Sequence, residues 1–99
     1  MQYVGTGRQG KIQNIAYTGT AGVIAAAIGS MVTKVRVLVT SDAWVLIGPP
    51  VASGGALATV GTGAYVPAKA AEYFSCTSGQ VVSAIQDTAG GTLNVMECA

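Results

Sequence analysis

Apolar and polar positions alternate along this chain in short runs, and Gly, Thr, Ser and Asn separate one run from the next. A two-residue period marks strands with one buried face, and the β-branched residues that fill these runs suit a pleated surface. No long amphipathic helix is visible. The clearest run is residues 33–40 (TKVRVLVT), where Val35, Val37 and Val39 fall on one face and Lys34, Arg36 and Thr40 on the other. The valine face is expected to line a core. Residues 43–47 (AWVLI) follow the turn at Ser41 and Asp42 and stop at Gly48, Pro49 and Pro50. A continuous apolar run of this kind is expected to be covered on both faces, with Trp44 anchoring the core, and to form a hairpin with residues 33–40.

The remaining runs are shorter. Residues 11–17 read as a strand and residues 22–27 as a second one, although the AGVIAAAI stretch at 21–28 also fits a helical turn. Residues 51–62 (VASGGALATVGT) are small and turn-rich, which predicts a long surface loop with at most a short strand at 56–60. Residues 64–66 and 72–76 (EYFSC) read as strands, and residues 80–86 (QVVSAIQ) and 92–97 (TLNVME) as a closing pair around the turn DTAGG, with Leu93 and Val95 inward. Seven or eight such elements define an all-β chain, a small β-sandwich or jelly-roll-like domain over residues 21–99 with an extended N-terminal arm at residues 1–20.

Composition sharpens this picture. Of 99 residues, 51% are hydrophobic and 9% are charged, against about 25% charged in ordinary soluble chains. Five basic and four acidic residues with no His leave a net charge of +1, so no basic field exists to hold nucleic acid or an anionic membrane surface. So neutral an exterior suits a protein buried against other subunits. The longest apolar stretch, residues 21–28, falls far short of the roughly 20 residues a spanning helix needs. Tyr17, Thr18, Gly19 and Thr20 interrupt the apolar region that an export signal would require. Cys76 and Cys98 have no CxxC spacing and no His beside them, so they read as small buried hydrophobes in a reducing cytoplasm and not as zinc ligands; whether they pair is left open.

Candidate chemistry is sparse. Gly5, Gly7 and Gly10 fit GxGxxG, and with Lys11 the same residues fit GxxxxGK. Neither pattern has its setting: no strand and helix flank it, no acid follows at the dinucleotide spacing, and Ile12 stands where a magnesium-binding Ser or Thr belongs. The segment reads instead as a flexible arm laid across another subunit, with Arg8 and Lys11 at its rim. No His is available as a base, Asp42 and Asp87 fall in turns, Glu72 and Glu97 fall at strand ends, and Cys76 has no partner to lower its pKa. An enzyme, a cofactor and a small-molecule substrate are not expected. Most of the aromatic residues read as core, while Tyr3, in an arm without a core of its own, reads as an intermolecular anchor.

The stretches VRVLVTSDAWVLIGPP (residues 35–50) and PAKAAEYFSCTSGQVVSAIQDTAGGTLNVMECA (residues 67–99) resemble small virion proteins of tailed-phage and prophage structural modules. In those, a VRV strand leads to an aromatic strand ending in IG and proline, followed by EYF, GxxVxxIQ and GTLNV strands. The resemblance implies a non-enzymatic capsid-decorating or cement subunit on the virion surface, made in the host cytoplasm, with the major capsid protein and copies of itself as partners. Its interface candidates are Tyr3, Arg8, Lys11, Trp44 and Tyr65. The alternatives are a tail or head-to-tail accessory protein, or a carbohydrate-binding sandwich that uses Trp44 or Tyr65 as a stacking platform.

Overall fold

Eight strands follow one another in the computed structural model, which describes residues 9–98: β1 (Gln9–Tyr17), β2 (Gly22–Val23), β3 (Lys34–Val39), β4 (Ala43–Gly48), β5 (Ala64–Val66), β6 (Glu72–Ser75), β7 (Val81–Gln86) and β8 (Gly91–Cys98). They form two four-stranded sheets, with order β1-β8-β3-β6 in sheet I and β2-β7-β4-β5 in sheet II, and every pairing is antiparallel. Strands β1 and β8, β2 and β7, β3 and β6, and β4 and β5 are all hydrogen-bonded partners. The chain is therefore one long hairpin, β1 to β4 against β5 to β8, folded over so that β3 also meets β8 and β4 also meets β7. That wrapping is the jelly roll, a two-sheet β-sandwich.

The core is the space between the sheets. Val35, Val37, Val39, Leu93 and Val95 project from sheet I and Val45, Val66, Val82 and Ala84 from sheet II, each at most 3% exposed. The strict alternation of buried and half-buried residues along β3 is the pattern its sequence predicts. Ile24 and Ile28, in the link from β2 to β3, fill the edge of the core, and their N–H groups donate to Val82 and Gln80 of the β7 segment. The strand expected at 22–27 thus shrinks to two residues. Past it, the Gln13 side-chain amide supplies the pairing, accepting from the Ala26 N–H and donating to its carbonyl at 2.9 Å each.

Three expectations are corrected. Residues 33–40 and 43–47 are not a hairpin, because β3 lies in sheet I and β4 in sheet II. The closing segments are likewise split, β7 into sheet II and β8 into sheet I. In both cases a short polar link forms an arch, which sets two apolar faces opposite each other across the core instead of side by side. Of strands adjacent in sequence, only β4 and β5 pair among the described residues, through the long loop between them. Finally, the strand expected at 11–17 is present and begins at Gln9, and it is a nine-residue strand of sheet I, so this part of the expected arm belongs to the sandwich. Its Ile15 and Tyr17 face the core, and that gain holds it there. Gly22 lets β2 close over its end, since a Cβ at Gly22 would overlap the Ala16 carbonyl oxygen.

Candidate functional site

In β4, Ala43 and Val45 point into the core, so Trp44 and Leu46 point out. Trp44 is therefore not the core anchor expected of it. Among the described residues the fully buried aromatic is Tyr17, whose hydroxyl donates to the Ser41 carbonyl and accepts the Ser41 N–H, tying the end of β1 to the arch between β3 and β4. Burial pushes the Tyr17 hydroxyl above its ordinary pKa, which keeps it a neutral donor.

Trp44 lies directly opposite Tyr65 of β5, and the two rings meet edge to face with centroids 5.2 Å apart at 68°. Two carboxylates bracket the pair. Trp44 Nε1 donates to Asp87 Oδ1 at 3.2 Å, and the Tyr65 hydroxyl donates to Asp42 Oδ2 at 2.7 Å. Asp42 Oδ1 also accepts the Ala68 N–H at 2.7 Å. Donation from Tyr65, then from Ala68, holds the Asp42 carboxyl below its usual range. The same bond to Asp42, with lesser contributions from burial and from the charges of Asp42 and Asp87, pushes Tyr65 up to about 12. Each acid is used to position an aromatic residue, so the cluster is a shaped, partly exposed surface.

Beside this cluster, sheet II covers itself. The loop from β4 to β5 contains a 3-10 turn (Val51–Ser53) and then folds onto the sheet, where the Ala58 N–H donates to Ser83 Oγ at 2.8 Å and both residues are buried. Its outward side carries Val51 and Val60, 58% and 62% exposed. The expected surface loop is therefore ordered by its own domain at one point. The outer face of sheet I differs: Asn14, Ala16, Tyr73, Ser75 and Thr92 are exposed on it.

Of the interface candidates, the structure brings Trp44 and Tyr65 together, places Lys11 exposed on β1, and Tyr3 and Arg8 lie outside the described residues. Gly5 and Gly7 of the glycine motif lie outside them as well, and the motif runs into the strand β1, not into a helix. Cys98 is buried and Cys76 half-buried, both as free thiols; burial, then the neighbouring Glu97 and Cys98, pushes the Cys76 thiol up and away from nucleophilic use. Glu97 is buried and accepts the Gly29 N–H at 3.0 Å. Among the described residues no pocket opens, no three His, Cys, Asp or Glu residues gather, and no helix is long and apolar enough to cross a membrane. Neither a protein-family model, nor a curated protein, nor a solved structure matches the chain.

Proposed function

We propose that this jelly roll is a non-enzymatic structural protein of a phage virion that decorates the outer capsid surface and stabilises contacts between capsomers. The observation that carries the reading is the unequal finish of the two outer faces among the described residues: sheet II is partly covered by its own loop, whereas Asn14, Ala16, Tyr73, Ser75 and Thr92 are exposed on sheet I. Jelly rolls recur in viral capsid proteins, an analogy at the level of the fold. Mass action supplies the mechanism: a subunit that binds the assembled shell and not its dissociated parts stabilises the shell by its binding free energy, with no bond made or broken. Purified chain added to undecorated shells should sediment with them and raise the temperature at which they release their contents. Recovery with detached tails alone would replace this reading by the tail accessory one.

The Trp44 and Tyr65 pair favours one second reading, glycan binding, because aromatic faces beside carboxylates match the apolar face and hydroxyls of a sugar. Saturable quenching of Trp44 fluorescence by a sugar would favour it. An unchanged spectrum across a panel of mono- and oligosaccharides would remove it.

A further inference from the structure

The register of sheet I sets one row of side chains across all four of its strands. Ile12 of β1 lies opposite Met96 of β8, Met96 opposite Arg36 of β3, and Arg36 opposite Tyr73 of β6. Val35 and Val37 point into the core, so Arg36 and its whole row point outward. Both ends of the row are open, Ile12 being 44% and Tyr73 45% exposed. A second row stiffens it: Arg36 Nη2 donates to Asn94 Oδ1 at 3.0 Å, and Asn94 Nδ2 donates to Asn14 Oδ1 at 2.8 Å. Arg, Tyr and Met are the residue types enriched at the centres of protein interfaces.

Arg36 is incompletely satisfied. Its Nε is buried and has no hydrogen-bond partner among the described residues, whereas folded chains pair nearly all buried donors. Among those residues no carboxylate side chain shares its face. Of the acids carried by these strands, Glu97 is buried opposite Val35 and accepts the Gly29 N–H, while Glu72 lies opposite Val37, off the Arg36 row, and is exposed at the β6 edge. Lys34, two residues from Arg36 on β3, adds a second positive charge to the outward side.

We infer that the outer face of sheet I is the docking face for an acidic patch of the capsid shell protein, which brings a carboxylate onto the Arg36 guanidinium between Tyr73 and Met96. This rests on the decoration reading above and names the surface that performs it. The charges select the occupant. Two copies of this face packed about a two-fold axis would set Arg36 and Lys34 against cations of the same kind with no acid between them, which disfavours self-pairing. Four strands at their usual spacing, over the length from Lys34 to Leu38, offer roughly 300–400 Å². A stable pairwise contact uses about 800 Å² per partner. Each contact is therefore small and, taken singly, weak.

The test uses shells assembled from the major capsid protein of the same virion, incubated with wild-type chain, Arg36→Gln, Tyr73→Thr, or Val60→Ser as a control on the self-covered side. Thermal unfolding of each free variant establishes that it folds, and Tyr73→Thr serves if Arg36→Gln does not. Arg36→Gln and Tyr73→Thr are each expected to weaken shell binding roughly tenfold or more, with Val60→Ser unchanged. If the wild type and both sheet I variants bind equally, or if Val60→Ser alone loses binding, the docking face is overturned while decoration stands. If the wild type does not bind the shells, both fall. A wild-type dimer in sedimentation that Arg36→Gln dissolves would overturn the choice of occupant.

Discussion

Tyr17→Phe isolates the bond that ties the end of β1 to the arch between β3 and β4. The Tyr17 ring is 1% exposed, and its hydroxyl both donates to the Ser41 carbonyl and accepts the Ser41 N–H at 3.2 Å. Phenylalanine keeps the ring and its packing, so the loss is polar alone. Both backbone groups of Ser41 lose their partner in a partly buried site, and an unsatisfied buried group costs about 1–3 kcal/mol. Water reaches part of the arch, which places the expected loss at roughly 1–2 kcal/mol for the pair. At about 4–8 °C per kcal/mol for a domain of this size, the unfolding midpoint should fall by roughly 5–15 °C. Urea titration followed by far-UV circular dichroism should show a lower midpoint with an unchanged slope, because the surface exposed on unfolding is the same. Tyr65→Phe is the matched control, since its hydroxyl meets Asp42 at the surface, where solvent screens the bond, and its removal should lower the midpoint less than Tyr17→Phe does. A Tyr17→Phe midpoint within about 1 °C of wild type, or equal losses from the two variants, would refute the claim that this bond anchors the arch to β1.

Leu93→Ala removes a fully buried side chain from the middle of β8 and should cost about 2–5 kcal/mol in urea unfolding; a loss below about 1 kcal/mol would show that the core closes around the gap. Ser83→Ala takes away the acceptor of the Ala58 N–H, so limited proteolysis should cut within residues 51–62 several-fold faster than in wild type, and an unchanged cleavage rate would mean that the loop is held elsewhere. Ultraviolet titration of tyrosinate should place Tyr65 at about 12, against 10.0 for an unperturbed phenol, and Asp42→Asn should return it toward 10.0. Because its folded pKa is raised, the stability that Tyr65 contributes is complete below the unfolded value and is lost as pH climbs through about 12. Asp42 has the opposite sign, contributing above its unfolded value and losing that contribution as pH falls through its depressed folded value.

The inward residues of this fold are readable because period two is a local property. Val35, Val37 and Val39 announce themselves within seven residues, and Leu93 and Val95 do the same. Pairing is not local. Thr40, Ser41 and Asp42 would serve a hairpin turn or an arch equally well, and what separates the two is whether β8 and β6 compete better for the edges of β3 than β4 does. Trp44 escapes a local reading for a related reason. A run of apolar residues predicts burial on both faces, yet Trp44 is outward and takes its cover from Tyr65, a residue 21 positions away in sequence. The row on sheet I is legible only once register is known, since Ile12, Arg36, Tyr73 and Met96 come from four separate segments. The signal available in the sequence is a lone Arg facing outward from a valine strand, with no acid at i+2 or i−2 to neutralise it.

The low charge of the chain is also more specific than composition suggests. Three of its four acids accept hydrogen bonds from the chain itself: Asp42 from Tyr65 and Ala68, Asp87 from Trp44, and Glu97 from Gly29. These carboxylates are occupied in holding the fold, and Arg36 is held by Asn94 at one of its nitrogens while its Nε has no partner among the described residues. A surface of this kind projects little long-range field, so on the proposed reading it does not steer its partner from a distance, and association should run near the unsteered rate of about 10⁵–10⁶ M⁻¹s⁻¹ with a shallow dependence on salt. Specificity then resides in short-range fit: one desolvated guanidinium, one aromatic ring and two apolar side chains in a fixed row. A contact so small is easily made and easily broken singly, which on the proposed reading lets a subunit leave and rebind until it sits in register on the shell.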